Sequence, residues 1–106
     1  MRYAYQDLGH QDDGTTVVVR WRGSGADVLL LDPVNFTKYY EGRHPVFYSA
    51  GGKYGRPPAE LTIPQGGRWY VVADLHGYSV HAKATVEVLS KDGAGKESQE
   101  ELVEVG

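Results

Sequence analysis

The sequence predicts an all-β fold, an antiparallel β-sandwich of jelly-roll type with one short helix in a long connection. Three observations predict it. Short stretches alternate apolar and polar residues with a period of two, as in strands with one buried face. Turn residues interrupt these stretches about every ten residues, a spacing typical of sandwiches and jelly rolls. The length of 106 residues predicts a single domain that can bury a two-layer core without disulfides.

The first third of the chain predicts three strands. Tyr3 to Tyr5 begin the first, which we expect to end at residues 7–10, before a polar turn at residues 11–14. The second strand covers residues 15–22 and places Trp21 on its inward parity. The third covers residues 26–32. Its run of three leucines predicts cover on both faces and a central place in a sheet.

Residues 33–58 show no sustained period of two and form the long connection. Asn35 is expected to cap a short helix over residues 36–41, with Gly42 as its C-terminal stop. The pattern then predicts three further segments: a brief strand at residues 45–49, a loop at residues 51–58 and a strand at residues 60–63.

Residues 67–89 show the cleanest alternation and predict two paired strands joined by a tight turn at Gly77 and Tyr78. Both apolar sets share a face only if the loop has an even number of residues. This register opposes Leu75 and Val80, Asp74 and His81, Ala73 and Ala82, and Trp69 and Val86. We therefore expect Trp69 and Val86 to face the interior.

The segment after Leu89 is polar and rich in acidic residues. We therefore expect a domain over residues 1–89 and a polar tail over residues 90–106. Leu102, Val103 and Val105 leave open a last strand within this tail.

Composition restricts the classes of function. The chain has no cysteine, which rules out disulfides and thiolate metal sites and fits the cytoplasm. Residues 1–7 have no apolar segment, and no apolar run approaches the roughly 20 residues of a membrane span. We therefore expect neither a secretory signal nor a membrane partner. A formal net charge of −3 makes nucleic acid an unfavourable partner, since phosphate neutralisation supplies most non-specific affinity.

Three segments together resemble a known family: Asp7 to His10, Leu30 to Gly42, and Trp69 to Tyr78. In this order they are similar to small bacterial proteins of the domain-of-unknown-function family eighteen-eighty-three, over about residues 3 to 89. The resemblance implies a β-sandwich that stands alone in some proteins and is joined to a TIR-type signalling domain in others. It implies no activity, so no catalytic residue is carried over.

The long connection is the best candidate for a binding site, because long irregular segments in compact domains are usually functional or disordered. Tyrosine offers rigid area for stacking, and arginine offers a planar fork for carboxylate or phosphate. The alternative is that the tyrosines cap the sandwich and bond to nearby backbone. The candidate ligand-binding residues are Asn35, Tyr39, Tyr40, Arg43, His44, Tyr48, Tyr54 and Arg56, with Asp74 and Tyr78.

A second candidate is a metal site formed by Asp74, His76 and His81, one carboxylate and two imidazoles. A cross-strand Asp–His pair is also an ordinary surface interaction. None of the serines lies in a nucleophile-elbow motif, and nothing in the sequence shows that Asp32 and Asp74 face each other. The sequence therefore favours a non-catalytic module without a cofactor, which recognises a protein or a small polar ligand. A carbohydrate-binding domain and a metal-dependent enzyme are the alternatives.

Overall fold

The computed structural model describes residues 3–23, 25–75, 84–90 and 98–105. These residues form one helix and nine strands. In chain order the elements are β1 (Tyr3–Gln11), β2 (Thr16–Trp21), β3 (Ala26–Leu31), α1 (Pro33–Glu41), β4 (Ala50–Tyr54), β5 (Ala59–Thr62), β6 (Gly67–Asp74), β7 (Ala84–Leu89), β8 (Ser98–Glu101) and β9 (Val103–Val105).

The strands form two sheets, and the predicted β-sandwich is confirmed. The first sheet has the order β4-β3-β6-β1-β9, and the second has the order β5-β2-β7-β8. Every strand pair in the described residues is antiparallel. Most consecutive strands lie in different sheets, so the chain winds repeatedly around one interior, as it does in jelly rolls.

The main core lies between the two sheets and draws apolar side chains from both. Trp21 from the second sheet and Trp69 from the first are 5% and 4% exposed, which confirms their predicted inward orientation. The Trp69 indole Nε1 donates a hydrogen bond to the carbonyl oxygen of Gln65 at 3.0 Å, so its one polar atom is satisfied. Val86 is also buried in this core, as predicted.

The predicted pairing of the two strands within residues 67–89 is wrong. Trp69 lies opposite Gly9 of β1, whereas Val86 lies opposite Val19 of β2 and Glu100 of β8. Both edges of β6 and both edges of β7 are used by other strands, so these two strands lie in different sheets. The alternation showed correctly which side chains face inward. It could not show that they reach the shared core from opposite sides. Residues 76–83, with the predicted turn, lie outside the described residues.

The first strand runs further than predicted, from Tyr3 through Gln11. Its register against β6 shifts between Asp7 and Gly9, which marks a bulge at this point. Gly9 has φ of 67°, and its backbone N–H donates to the Asp7 carboxylate at 2.9 Å. The residues expected to end the strand therefore form a bulge within it.

The helix and the fourth strand also differ from the prediction. Asp32, not Asn35, caps α1: its Oδ1 accepts from the Asn35 backbone N–H at 2.8 Å, and Pro33 begins the helix. Gly42 ends the helix in the left-handed conformation, as predicted. Residues 45–49 form no strand. The strand instead covers Ala50–Tyr54, most of it within the segment expected to be a loop.

Gly51 explains why this strand was missed. A Cβ at Gly51 would lie 2.0 Å from the Val28 carbonyl oxygen, and the residue has φ of 109°. Only glycine permits so close an approach between β4 and β3. Gly51 therefore marks tight strand pairing rather than a loop.

The acid-rich segment adds a strand to each sheet. β8 pairs with β7 in the second sheet, and β9 pairs with β1 in the first. Leu102 between them is buried in the main core. Strand pairing therefore continues past residue 89, where the sequence pattern placed the end of the domain.

Candidate functional site

Helix α1 lies across the outer face of the first sheet, opposite the main core. A second, smaller core forms beneath it from Tyr3, Leu31 and Val72. Leu30 and Leu31 belong to the main core and the second core respectively, and both are fully buried. This explains the apolar run in β3, which is covered on both faces as the sequence predicted.

Aromatic side chains dock the helix onto the sheet. The Phe36 ring stacks on Tyr70 of β6, with centroids 4.2 Å apart, and also contacts Tyr5 of β1 at 5.0 Å. The rings of Tyr39 and Tyr3 pack edge to face, with centroids 4.9 Å apart. Because such pairs stabilise beyond the area they bury, they fix the position of α1 on the sheet.

Tyr39 also bonds to the sheet through its hydroxyl group. The pKa of Tyr39 is raised far above its ordinary value, chiefly because burial disfavours the phenolate. The negative charge of Asp74 raises this pKa further, and so does a hydrogen bond between the two side chains. Asp74 lies directly opposite Asp27 of β3. The Tyr39 hydroxyl therefore lies at an acidic end of this face and stays protonated there.

After α1 the chain runs back along the helix; residues 43–49 are called the return segment. The Arg43 backbone N–H donates to the Lys38 carbonyl oxygen at 2.8 Å and closes the helix end. The Phe47 backbone N–H donates to the Asn35 side-chain oxygen at 2.9 Å, which ties the segment to the first helical turn. Between these two bonds, Val46 packs against the second core.

The side chains left outside this arrangement are large and apolar. Phe47 is 67% exposed, Val34 65%, Tyr40 57% and Tyr48 52%. Arg43 and His44 on the return segment are exposed as well. We call these six residues the helix-side surface: Val34, Tyr40, Arg43, His44, Phe47 and Tyr48.

The net charge of residues 33–58 is opposite in sign to that of the rest of the chain. Residues 33–58 contain four basic residues and one acidic residue, Glu41, whereas the remainder contains seven basic and thirteen acidic residues. The Glu41 carboxylate contacts the Arg43 guanidinium at 2.7 Å. Among the six residues of the helix-side surface, Arg43 carries the one formal charge, so this surface is aromatic with a single paired cation.

The structure separates the predicted ligand-binding residues into several groups. Tyr40, Arg43, His44 and Tyr48 belong to the helix-side surface. Asn35 and Tyr39 hold the return segment and the helix in place, and Tyr54 packs against the main core on the other face of the sheet. Arg56 is exposed in the connection between β4 and β5. Tyr39 and Tyr54 therefore pack within the domain, whereas Tyr48 and Tyr40, whose ring lies 6.0 Å from that of Phe36, are more than half exposed.

Asp74 lies on the same outer face as the helix, whereas Tyr78, His76 and His81 lie outside the described residues. The pairing that would bring His81 beside Asp74 is lost with the predicted register, because β6 and β7 lie in different sheets. In residues 3–23, 25–75, 84–90 and 98–105, no three histidine or carboxylate side chains are grouped as a metal site requires. No helix in this part of the chain has the length and apolar character needed to cross a membrane.

Sequence reasoning missed three residues of this face. Phe47 and Val34 are exposed although their side chains are apolar. Their exposure depends on how the return segment folds back along the helix. The signal at Phe47 was an aromatic residue in a segment without periodicity. Asp27 shares the outward parity of Leu29 and Leu31 in β3, so its face was predictable, whereas its position opposite Asp74 depends on the pairing of β3 with β6.

The fold and the surface together define a small β-sandwich domain with a helix and a return segment across one sheet. The sequence matches the family described as Domain of unknown function (DUF1883) over residues 1–92, and the chain belongs to this family. The resemblance seen in the sequence is thereby confirmed. A comparison with curated proteins and a comparison with solved structures each gave no match.

Proposed function

We propose that this domain is a non-catalytic recognition module and that the helix-side surface is its binding surface. One observation carries the proposal. Three aromatic side chains, Tyr40, Phe47 and Tyr48, are each more than half exposed on one helix and the segment that returns along it. Exposed apolar groups that lie together commonly mark interaction sites, and aromatic residues with arginine are enriched in interface cores.

The way in which this surface is held supports the proposal. The Asn35 side chain bonds to the Phe47 backbone, and Phe36 and Tyr39 fix the helix to the sheet. A surface held in this way loses less conformational freedom on binding than a free loop would. The four exposed apolar side chains contribute little to the core, so their removal should leave the fold intact.

A thermal-shift screen tests the proposal. Wild type and the double variant Phe47→Ala, Tyr48→Ala are each mixed with a panel of acidic, basic and neutral peptides, oligosaccharides, nucleotides and divalent metals. Because a ligand that binds the folded state raises Tm, at least one component should raise Tm in wild type and not in the double variant. Without ligand, the two proteins should have closely similar Tm values.

Other outcomes would favour other functions. If an oligosaccharide raises Tm in wild type but not in the double variant, the result would support the carbohydrate-binding alternative. If a component raises Tm equally in both proteins, it binds at a site other than the helix-side surface, and this would contradict the proposal. Conversion of a panel component to product would contradict the non-catalytic assignment.

We further propose the bacterial cytoplasm as the compartment, which the cysteine-free composition fits.

A further inference from the structure

We infer that the chain has a second interaction site, which binds an extended polypeptide segment by strand pairing. The site consists of the edges of β7 and β1 that residues 98–105 cover in the structure. We call these edges the acceptor edges and residues 98–105 the C-terminal segment. The partner is a segment of another protein with apolar residues at alternate positions, and the C-terminal segment is an occupant that it displaces. This site is independent of the helix-side surface.

The C-terminal segment closes both sheets on one side of the sandwich. Its strand β8 pairs with β7 in the second sheet, and β9 pairs with β1 in the first. Between them the Leu102 backbone N–H donates to the Ala84 carbonyl oxygen at 2.9 Å, and the Leu102 side chain is buried in the main core. Proteins that bind extended peptides at a sheet edge combine main-chain hydrogen bonds with pockets for alternate side chains. The acceptor edges offer both.

The C-terminal segment matches these edges poorly in sequence. In an antiparallel pair, positions directly opposite each other belong to the same face of the sheet. Three positions of the segment lie opposite residues that belong to the main core or pack against it. They are the positions of Ser98, Glu100 and Glu104, opposite Val88, Val86 and Ala4 in turn. A segment with apolar residues at these positions would bury more apolar surface with the same backbone pairing.

The covalent link explains how a poorly matched segment occupies the site. A tethered segment has an effective concentration of roughly millimolar order, so it needs few favourable side-chain contacts. The acceptor edges lie within residues 1–92, which match the family, whereas the C-terminal segment lies outside them. The site therefore belongs to the family's part of the chain, and its occupant does not.

A second copy of the chain is a poorer partner than a different protein. It offers the same polar residues at the same positions, so exchange of C-terminal segments between copies would add no contact with the acceptor edges. A segment with valine, leucine or isoleucine at the positions of Ser98, Glu100 and Glu104 would add apolar contacts at each of them.

A fluorescence anisotropy titration of the full chain tests the inference. The probe is a labelled peptide of residues 97–106 that carries Ser98→Val and Glu100→Val. The reference peptide carries Gln99→Val and Glu101→Val, so it has the same number of valines and of charges at positions opposite Glu87 and Thr85. The protein variant Leu102→Ala weakens the hold of its own segment. It should bind the probe at least about tenfold more tightly than it binds the reference peptide.

Wild type should bind the probe at least about tenfold more weakly than Leu102→Ala does, because its intact segment competes for the site. Equal binding of the probe to the two proteins would overturn the inference, since the segment would then not compete. Equal binding of the two peptides to Leu102→Ala would also overturn it and would show that the C-terminal segment only covers the sheet edges.

Two variants of the full chain decide the matter even if Leu102→Ala does not fold. Glu100→Val, opposite the buried Val86, should raise Tm by about 4 °C. Glu101→Val removes the same charge at the position opposite Thr85 and should raise Tm by less than about 1 °C. Equal shifts would contradict the preference for apolar residues at alternate positions.

Amide chemical-shift mapping separates this inference from the proposed function. The probe should shift amides of β7 and β1 in Leu102→Ala. Shifts confined to residues 34–49 would place the peptide on the helix-side surface, which overturns the second site and leaves the proposed function intact. Shifts in β7 and β1 support the second site whether or not any ligand is found for the helix-side surface.

Discussion

The ring of Phe36 in α1 stacks on the ring of Tyr70 in β6, with centroids 4.2 Å apart and planes inclined by 3°. This contact joins the helix to the central strand of the first sheet. Everything proposed for the helix-side surface depends on the helix being held there.

Loss of the Phe36 ring should destabilise the protein. Because Phe36 is partly buried, Phe36→Ala should lower the free energy of unfolding by about 2 kcal/mol, less than a fully buried phenylalanine would. The exposed Phe47 is the matched control, and Phe47→Ala should change stability by less than about 0.5 kcal/mol. Urea unfolding measures both. Equal effects of the two substitutions would show that the ring stacking does not hold the helix.

The N-terminal cap of α1 should contribute independently. Asp32→Ala removes the oxygen that accepts from the Asn35 backbone at 2.8 Å and from its side-chain nitrogen at 3.1 Å. We expect a loss of about 1 kcal/mol in the free energy of unfolding. Asp12→Ala, which removes an exposed carboxylate in a turn, should cost less than about 0.5 kcal/mol. Asn35 also holds Phe47, so amide hydrogen exchange at Phe47 should quicken in the Asp32 variant alone.

The close approach of β4 to β3 should make Gly51 nearly irreplaceable. A Cβ there would meet the Val28 carbonyl oxygen at 2.0 Å, so Gly51→Ala should cost more than about 3 kcal/mol. A Cβ at Gly52 has open space but φ of 141°, and strain alone should cost about 1 to 2 kcal/mol. Gly55→Ala, with neither obstacle, should be nearly neutral. Any other order in thermal unfolding would contradict the described register of β4.

The Tyr39 hydroxyl should make stability depend on alkaline pH. Its folded-state pKa lies above the ordinary 10.0, because of burial and the charge of Asp74. Above about pH 10 the unfolded chain loses the proton while the folded chain keeps it, so the free energy of unfolding falls as pH rises. Tyr39→Phe removes this proton and should flatten the fall. Urea unfolding at several pH values between 9 and 11 measures the slopes, and equal slopes for Tyr39→Phe and wild type would contradict the assignment.

The sequence was sufficient to predict the class of fold and most of the inward-facing residues, because alternation shows directly which face of a strand is buried. Trp21, Trp69 and Val86 are examples. Alternation says nothing about which strands are neighbours, and so the pairing of Trp69 with Val86 was wrong although both are buried. Neighbours depend on contacts between distant segments, such as Trp69 with Gly9.

The sequence pointed to the segment that carries the proposed surface, but not to the residues that form it. The lack of periodicity singled out residues 33–58, and this segment contains the helix and the return segment. Two contacts decide which of their aromatic side chains face solvent. The Phe47 backbone N–H donates a hydrogen bond to the Asn35 side chain, and the Phe36 ring stacks on Tyr70. Neither contact leaves a periodic signal in the sequence. For this reason Tyr54 was included and Phe47 was overlooked.

Amide chemical-shift mapping tests the recognition surface most directly. Isotope-labelled protein is titrated with each panel component that raises Tm in wild type, and the shifted amides are assigned to residues. We predict that the largest changes lie within residues 34–49, on α1 and the return segment. Changes confined to the second sheet, in β2, β5 and β7, would contradict the account.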